Sequence, residues 1–180
     1  MKFLTLLSFL FCSVFVQGQI YTCKDGTTSF SSEAPLELIK AQTNKTNGVI
    51  DCQARNVAFS VDVTSFNGFN SALQKEHFHE NYMETPKYPK ATFKGKIIED
   101  IDFNKKGTTS VRAKGIFNIH GVDKEKIVKV KITVKDKEIA IETQFEVPLE
   151  DHDIKIPKVV NQKIAAVIQV DVKAVLKLKA

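Results

Sequence analysis

No apolar run of about 18 residues or more, the length a membrane-spanning helix needs, occurs in this 180-residue chain. Cysteine is scarce, with three in all, which excludes a disulfide-dense scaffold. Eight Gly and five Pro without a regular period exclude a collagen-like chain, and no heptad pattern supports a coiled coil. Internal repeats and low-complexity stretches are absent. What is present, 43% hydrophobic, 9% aromatic and 26% charged residues, is the composition of one globular domain and too apolar for a disordered one.

Met1-Lys2 followed by the apolar stretch Phe3 to Val16 has the form of a secretory signal peptide, too short to span a bilayer. Val16-Gln17-Gly18 suits a signal peptidase, so residues 1–18 are expected to be removed and residues 19–180 to form the mature domain, periplasmic or secreted. Phe11 before Cys12 argues against a lipoprotein anchor there. The mature chain keeps Cys23 and Cys52, an even pair that an oxidising compartment is expected to bridge. Closing the loop between them would contribute about 3.6 kcal/mol in the chain-entropy model. Two free thiols are the alternative. With no Cys/His quartet nearby, a structural zinc site is not expected.

Lys and Arg total 26 against 21 Asp and Glu, a net charge of +5 that falls by one when Lys2 leaves. A nucleic-acid surface would gather that excess on one face. Here Lys129, Lys131 and Lys135, and later Lys173, Lys177 and Lys179, alternate with Val, Ile and Leu, so they read as the wet side of strands, giving solvation and edge protection. Asn44-Lys45-Thr46 is a glycosylation sequon, of consequence only in a eukaryotic secretory pathway.

Period-2 alternation dominates the rest of the chain. Ala91, Phe93, Gly95 and Ile97 share one face, and Val111, Ala113, Gly115, Phe117 and Ile119 share the next, with Asn104 to Gly107 as the turn between. Val128, Val130, Ile132 and Val134, then Ile139, Ile141, Thr143, Phe145 and Val147, form a second hairpin about Asp136-Lys137. Val57, Phe59, Val61 and Val63 alternate upstream, and a final strand is expected from about Ile164 to Leu178. Leu36, Leu38, Lys40 and Gln42 hint at an earlier one. From Asn70 to Met83 the alternation fails, so a helix or irregular excursion is expected there, ended by Pro86 and Pro89.

Seven or eight antiparallel strands with one helical excursion predict an all-β fold, an up-and-down barrel first, because closure removes every edge. A sandwich satisfies the same alternation. An eight-stranded barrel holds either its own side chains or one small ligand. The inward sets are almost wholly apolar, and Ala91, Gly95, Ala113, Gly115, Ala166 and Ala174 leave volume unless larger neighbours fill it. Periodicity alone favours the filled core.

His77-Phe78-His79-Glu80 crowds two imidazoles and a carboxylate, but on a helix the two rings point about 200° apart and do not share an ion, so no metal is expected. His120 before Gly121 reads as a strand-end turn residue, and His152 between Asp151 and Asp153 as a solvated loop residue. No nucleophile elbow, phosphate loop or dinucleotide motif is present, so neither catalysis nor a cofactor is expected.

His77-Phe78, Tyr82-Met83 and the run Tyr88-Pro89-Lys90-Ala91-Thr92-Phe93-Lys94-Gly95 resemble the central motif of the YceI-like proteins. Gly115-Ile116-Phe117-Asn118-Ile119-His120-Gly121-Val122-Asp123-Lys124 resembles a second signature of that family, and the likeness covers roughly residues 28–178. His77 to Glu84 resembles a branch associated with Bacteroidetes. The family's early Trp and its His-Ser pair are missing, with Tyr21 to Pro35 in their place, and Asn81 stands where an Asp is common. The resemblance implies an eight-stranded, lipocalin-like antiparallel barrel, periplasmic and non-enzymatic, that holds a polyisoprenoid or fatty-acyl amphiphile. On that footing Phe59, Val61, Phe93, Phe117, Ile119, Ile141 and Phe145 are expected to line the interior, with Leu73, Phe78, Tyr82 and Met83 covering or gating one side. The expected partner is an amphiphilic lipid or isoprenoid, with no nucleic acid and no stable membrane insertion, for a monomer or homodimer. The competing expectation is a structural or interaction protein of the envelope with a solid barrel.

Overall fold

The alternation read along residues 107–147 folds into two long hairpins, and around them the sheet closes. In the computed structural model, which describes residues 19–179, the strands are β1 (Ile20–Glu33), β2 (Leu38–Asp51), β3 (Asn56–Asp62), β4 (Lys90–Ile97), β5 (Gly107–Ile119), β6 (Val122–Val134), β7 (Glu138–Pro148) and β8 (Val167–Leu178). Each pairs antiparallel with the next, and β8 returns to β1, giving a closed eight-stranded barrel. The leader expected at residues 1–18 lies outside the described residues. The excursion between β3 and β4 contains one short helix, α1 (Ala72–His77), capped by Ser71, whose hydroxyl accepts from the Gln74 amide. It runs on into a π-helical turn, Phe78–Tyr82.

Two strands escaped the alternation, for a reason visible in their register. β1 buries Tyr21 and Cys23, then Gly26, Thr28 and Ser32, and β2 buries Ile39, Ala41 and Thr43, then Thr46, Gly48 and Ile50. Bulges between Cys23 and Thr28 insert the extra residues that exchange one parity for the other. The inward face here is also largely Thr, Ser and Gly, so it lacks an apolar stripe. The early strand expected from Leu36, Leu38, Lys40 and Gln42 is therefore corrected by one residue: Ile39 and Ala41 point inward, and Leu36 and Leu38 are 66% and 47% exposed. The last strand begins at Val167, three residues later than its apolar pattern suggests.

The same register corrects the expected disulfide. Cys23 and Cys52 are free thiols. Cys23 faces Gly48, while the amide of Cys52 donates to Gln19 O, four residues before Cys23 and just ahead of β1. At about 3.3 Å per residue the two lie ~13 Å apart along the strands, beyond the ~7 Å that a disulfide spans between Cα atoms. Burial, assisted by Asp51, pushes the Cys52 thiol up to about 12, and burial also raises Cys23, so both act as apolar filler and not as nucleophiles.

His120 (φ 54°) and Gly121 (φ 76°) form the two-residue turn joining β5 to β6, both in the left-handed region that a type I′ hairpin demands. The ring of Tyr88 lies against Gly121 so closely that a Cβ there would come within 2.9 Å of its Cδ1. His120 Nε2 lies 3.2 Å from Glu84 Oε1, and its Nδ1 lies 3.0 Å from His152 O. The Tyr88 and His120-Gly121 motifs thus meet in one turn-locking cluster. His152 is corrected as well. It is only 2% exposed, with Nδ1 3.3 Å from Val122 O and its ring 5.3 Å from that of Phe117.

Candidate functional site

At the end of the barrel formed by the β6–β7 turn, the interior is solid. Tyr21, Ile50, Ile97, Phe103, Ile139 and Leu176 interlock there, and Ile139 and Leu176 are wholly inaccessible. Toward the end that carries α1, the inward side chains are apolar but no longer fully buried. Phe59, Val61, Phe93, Phe145 and Val172 point into the barrel and still keep accessible surface. The cause is a cavity of about 510 Å³, within the ~300–1,000 Å³ typical of small-molecule sites. The barrel is therefore not filled by its own side chains.

All seven residues expected to line the interior, Phe59, Val61, Phe93, Phe117, Ile119, Ile141 and Phe145, border this cavity. Phe59, Phe93 and Phe117 sit side by side on β3, β4 and β5, because Phe59 pairs with Phe93 and Phe93 with Phe117. Gly95 and Gly115 do not contribute volume, contrary to their reading as void-making positions. They are cross-strand partners at a point where the two backbones nearly touch, and a Cβ on Gly115 would lie 2.5 Å from Gly95 Cα. Ala166 is exposed and lies outside the barrel strands.

The four expected gating residues also border the cavity. Phe78 stacks on Phe30, with centroids 5.3 Å apart and planes at 17°, and lies 5.9 and 5.0 Å from Phe66 and Phe69. Met83 is buried beside Phe66, Val63 and Leu149 in this second cluster. Tyr82 packs against it, and Leu73, 58% exposed, sits at the rim. The segment carrying Phe66, Phe69 and Phe78 is tied to β2 by reciprocal backbone bonds between Gln42 and Asn67. Gln74 and Asn70 anchor it, both donating to Glu37 Oε1, at 2.9 and 3.4 Å.

His77 borders the cavity, whereas the His79 ring packs against Phe69 and Phe78, at 6.4 and 5.1 Å between ring centroids. Among the described residues no group of three His, Cys, Asp or Glu is placed to hold a metal ion. Burial lowers the pKa of His152 against the opposing effect of its Val122 carbonyl, and burial aided by Lys75 lowers that of His79. For a base whose folded pKa lies below its unfolded one, the unfolded chain binds more protons. Stability is then full above pH ~6.5 and is lost as pH falls from there toward the folded pKa. Urea titrations are expected to show a lower midpoint at pH 5 than at pH 7, with a shallower dependence in His152→Gln.

Phe30, Phe66 and Phe69 of the cover, and the polar Lys126, were not singled out from the sequence, and Thr143 was read as inward but given no role. Lys126 has the parity of Val128, Val130 and Ile132 and borders the cavity. The alternation carried two residues back would have placed it, but a charged side chain does not announce itself as inward. Thr143, an inward position of β7, borders the cavity and donates its hydroxyl to Lys129 O at 2.8 Å.

Residues 19–176, nearly all of the described chain, match the YceI-like domain family. The chain belongs to the YceI-like family. Among solved structures this YceI-like barrel is similar to a polyisoprenoid-binding domain from Saccharophagus degradans implicated in plant cell wall breakdown, at 14% identity and a TM-score of 0.76, covering 91% of this chain and 100% of that one. It is also similar to BcnA of Burkholderia cenocepacia (14% identity, TM-score 0.69, 84% and 95% covered) and to a YceI protein of Campylobacter jejuni (17%, 0.60, 79% and 85%). No curated protein sequence matches significantly. At such identities the solved structures bear on the fold alone. The two stretches that resemble the YceI-like motifs now have physical roles, in the phenylalanine cover and in the His120-Gly121 turn.

Proposed function

We propose that the protein is an exported, non-enzymatic binding protein that sequesters or carries an amphiphilic lipid, of polyisoprenoid or fatty-acyl type, inside the barrel. One observation carries this reading: a cavity of about 510 Å³ whose wall is built mostly from Phe, Ile and Val, closed at one end by solid core and covered at the other by a small helical segment. Water gains little from such a wall, and an acyl or isoprenoid chain gains about 0.8 kcal/mol for each buried methylene. Ten methylenes contribute about 8 kcal/mol against an association cost of about 4 kcal/mol or more, so long chains are held and short ones are not. The polyisoprenoid-binding domain of the same fold supports this chemistry, and the leader-like residues 1–18 support export to the periplasm or beyond. Carriage requires no nucleophile, cofactor or metal, consistent with the absence of a catalytic motif from the sequence.

Delipidated protein titrated with a fluorescent fatty-acyl probe is expected to bind it saturably, one probe per chain. Competing saturated chains should tighten about fourfold per added methylene until the cavity is full. Failure of the probe and of isoprenoid competitors to bind would count against lipid carriage. Melting unchanged by any lipid would favour a purely structural barrel.

A further inference from the structure

Half of the seam between β6 and β7 is not paired. Its ladder runs from Val134 opposite Ile139 to Val130 opposite Thr143 and stops there. β6 nevertheless stays paired with β5 as far as Val122, and β7 with β8 as far as Pro148. Residues 122–129 and 144–148 therefore stand across from each other in the barrel wall with no ladder between them. Side chains serve the carbonyls left there. Thr143 caps Lys129 O where the ladder ends, His152 meets Val122 O at the far end, and Lys126 Nζ donates to Glu146 O at 2.7 Å in the middle. The result is an unladdered stretch of wall, bounded below by the last ladder pair and above by the His152 turn, with one ammonium bridging it.

Lys126 is unusual among the lysines of this chain. It lies on the inward face, borders the cavity, and holds its ammonium 5.5 Å from the centre of the Phe145 ring. Among the described residues it forms no ion pair within 4.0 Å, and its acceptor is a neutral carbonyl. Asp151 and Glu146 act on it only at longer range, and burial lowers its pKa against them. An ammonium has three donors, so two hydrogen bonds beyond the one to Glu146 O stay open at the cavity border. The other lysine bordering the cavity, Lys163, is exposed on the loop before β8.

We propose that the amphiphile carries an anionic headgroup, a carboxylate or a phosphate, and that Lys126 binds this headgroup where the β6–β7 ladder is missing while the chain fills the cavity. This rests on the lipid-binding reading above and adds the headgroup's charge and place. The tail supplies affinity through burial, and the headgroup fixes orientation by replacing the Glu146 carbonyl as the partner of Lys126, a stronger acceptor because it is charged.

Matched probes separate the two readings: palmitate against hexadecanol, farnesyl monophosphate against farnesol, and inorganic phosphate as a competitor. Wild-type protein is expected to bind each anionic probe about tenfold or more tightly than its alcohol. Lys126→Met should remove that preference, weakening the anionic probes about tenfold or more relative to their alcohols. Lys126→Arg should retain it, and so should Lys163→Met. Inorganic phosphate at millimolar concentration should not displace farnesyl monophosphate, since the recognised oxyanion is one attached to a buried chain. The proposal is overturned if Lys126→Met lowers both probe classes alike or neither, if Lys163→Met removes the preference instead, or if inorganic phosphate competes. Should wild-type protein bind neither acids nor alcohols, it is the lipid-binding reading itself that fails.

Discussion

Phe93→Asp is expected to abolish amphiphile binding while the barrel still closes. Phe93 sits at the middle of the three phenylalanines contributed by β3, β4 and β5, and its side chain keeps accessible surface only because it borders the cavity. In the empty protein a carboxylate there is hydrated by cavity water. With a chain bound it would be stripped of that water against a hydrocarbon, which costs several kcal/mol without a partner. The expected loss of affinity is at least about a hundredfold, since each 1.4 kcal/mol is tenfold. Phe93→Leu, which keeps the wall apolar, should lose less than about tenfold. Fluorescence titration reads the affinities, and circular dichroism melting shows whether each variant folds. Retained binding in a folded Phe93→Asp protein would place the lipid elsewhere. Phe117 is the less informative position, because its ring also packs on Phe145 and His152 and its loss threatens the fold.

Gly115→Val is expected to lower the melting temperature well below that of the wild type and of Phe93→Leu. Gly95 and Gly115 face each other where β4 and β5 come closest. A Cβ on either meets the opposite backbone, at 2.8 Å from Gly115 Cα in one direction and 2.5 Å from Gly95 Cα in the other. Backbone yields far less readily than a side-chain end, so the branched residue must push two paired strands apart. Overpacking of this kind costs about 3 kcal/mol at the upper end of its usual range, or about 6–12 °C in a domain of this size. Gly107→Ala supplies the control, because a Cβ there meets nothing within 4 Å, leaving only the strain of its φ of 149°. A Gly115→Val protein that melts like the wild type would show that the two strands are free to separate.

How much of this was legible beforehand depends on the element. The strands from residue 90 to 148 alternate strictly, and the hairpins and the inward set follow from counting by two. β1 and β2 were obscured because bulges reverse their parity and because Thr28, Ser32, Thr43 and Thr46 make a buried face that looks wet. Thr28 and Thr46 satisfy each other through a 2.7 Å hydroxyl contact, so burying them leaves no orphaned polar atom. The disulfide expectation counted cysteines without register, and register is what separates them. His152 looked solvated because it lies between two aspartates. The 3-10 turn Leu149–His152 instead swings the ring under β6 while Asp151 and Asp153 stay exposed. Small inward residues suggested volume, yet at Gly95 and Gly115 they mark a close approach. The cavity arises elsewhere, where large side chains point inward but lack partners. The end of the β6–β7 ladder was not legible at all, since nothing in the alternation of β6 or β7 says where their mutual pairing stops.

Native mass spectrometry of the full-length gene product, expressed and purified from its own host without delipidation, tests the central claim most directly. The account predicts a folded chain beginning at Gln19 that carries one co-purified amphiphile, released as an intact lipid mass on collisional activation. A bare chain mass from the same preparation, together with no uptake of fatty-acyl or isoprenoid probes by that protein, would contradict it.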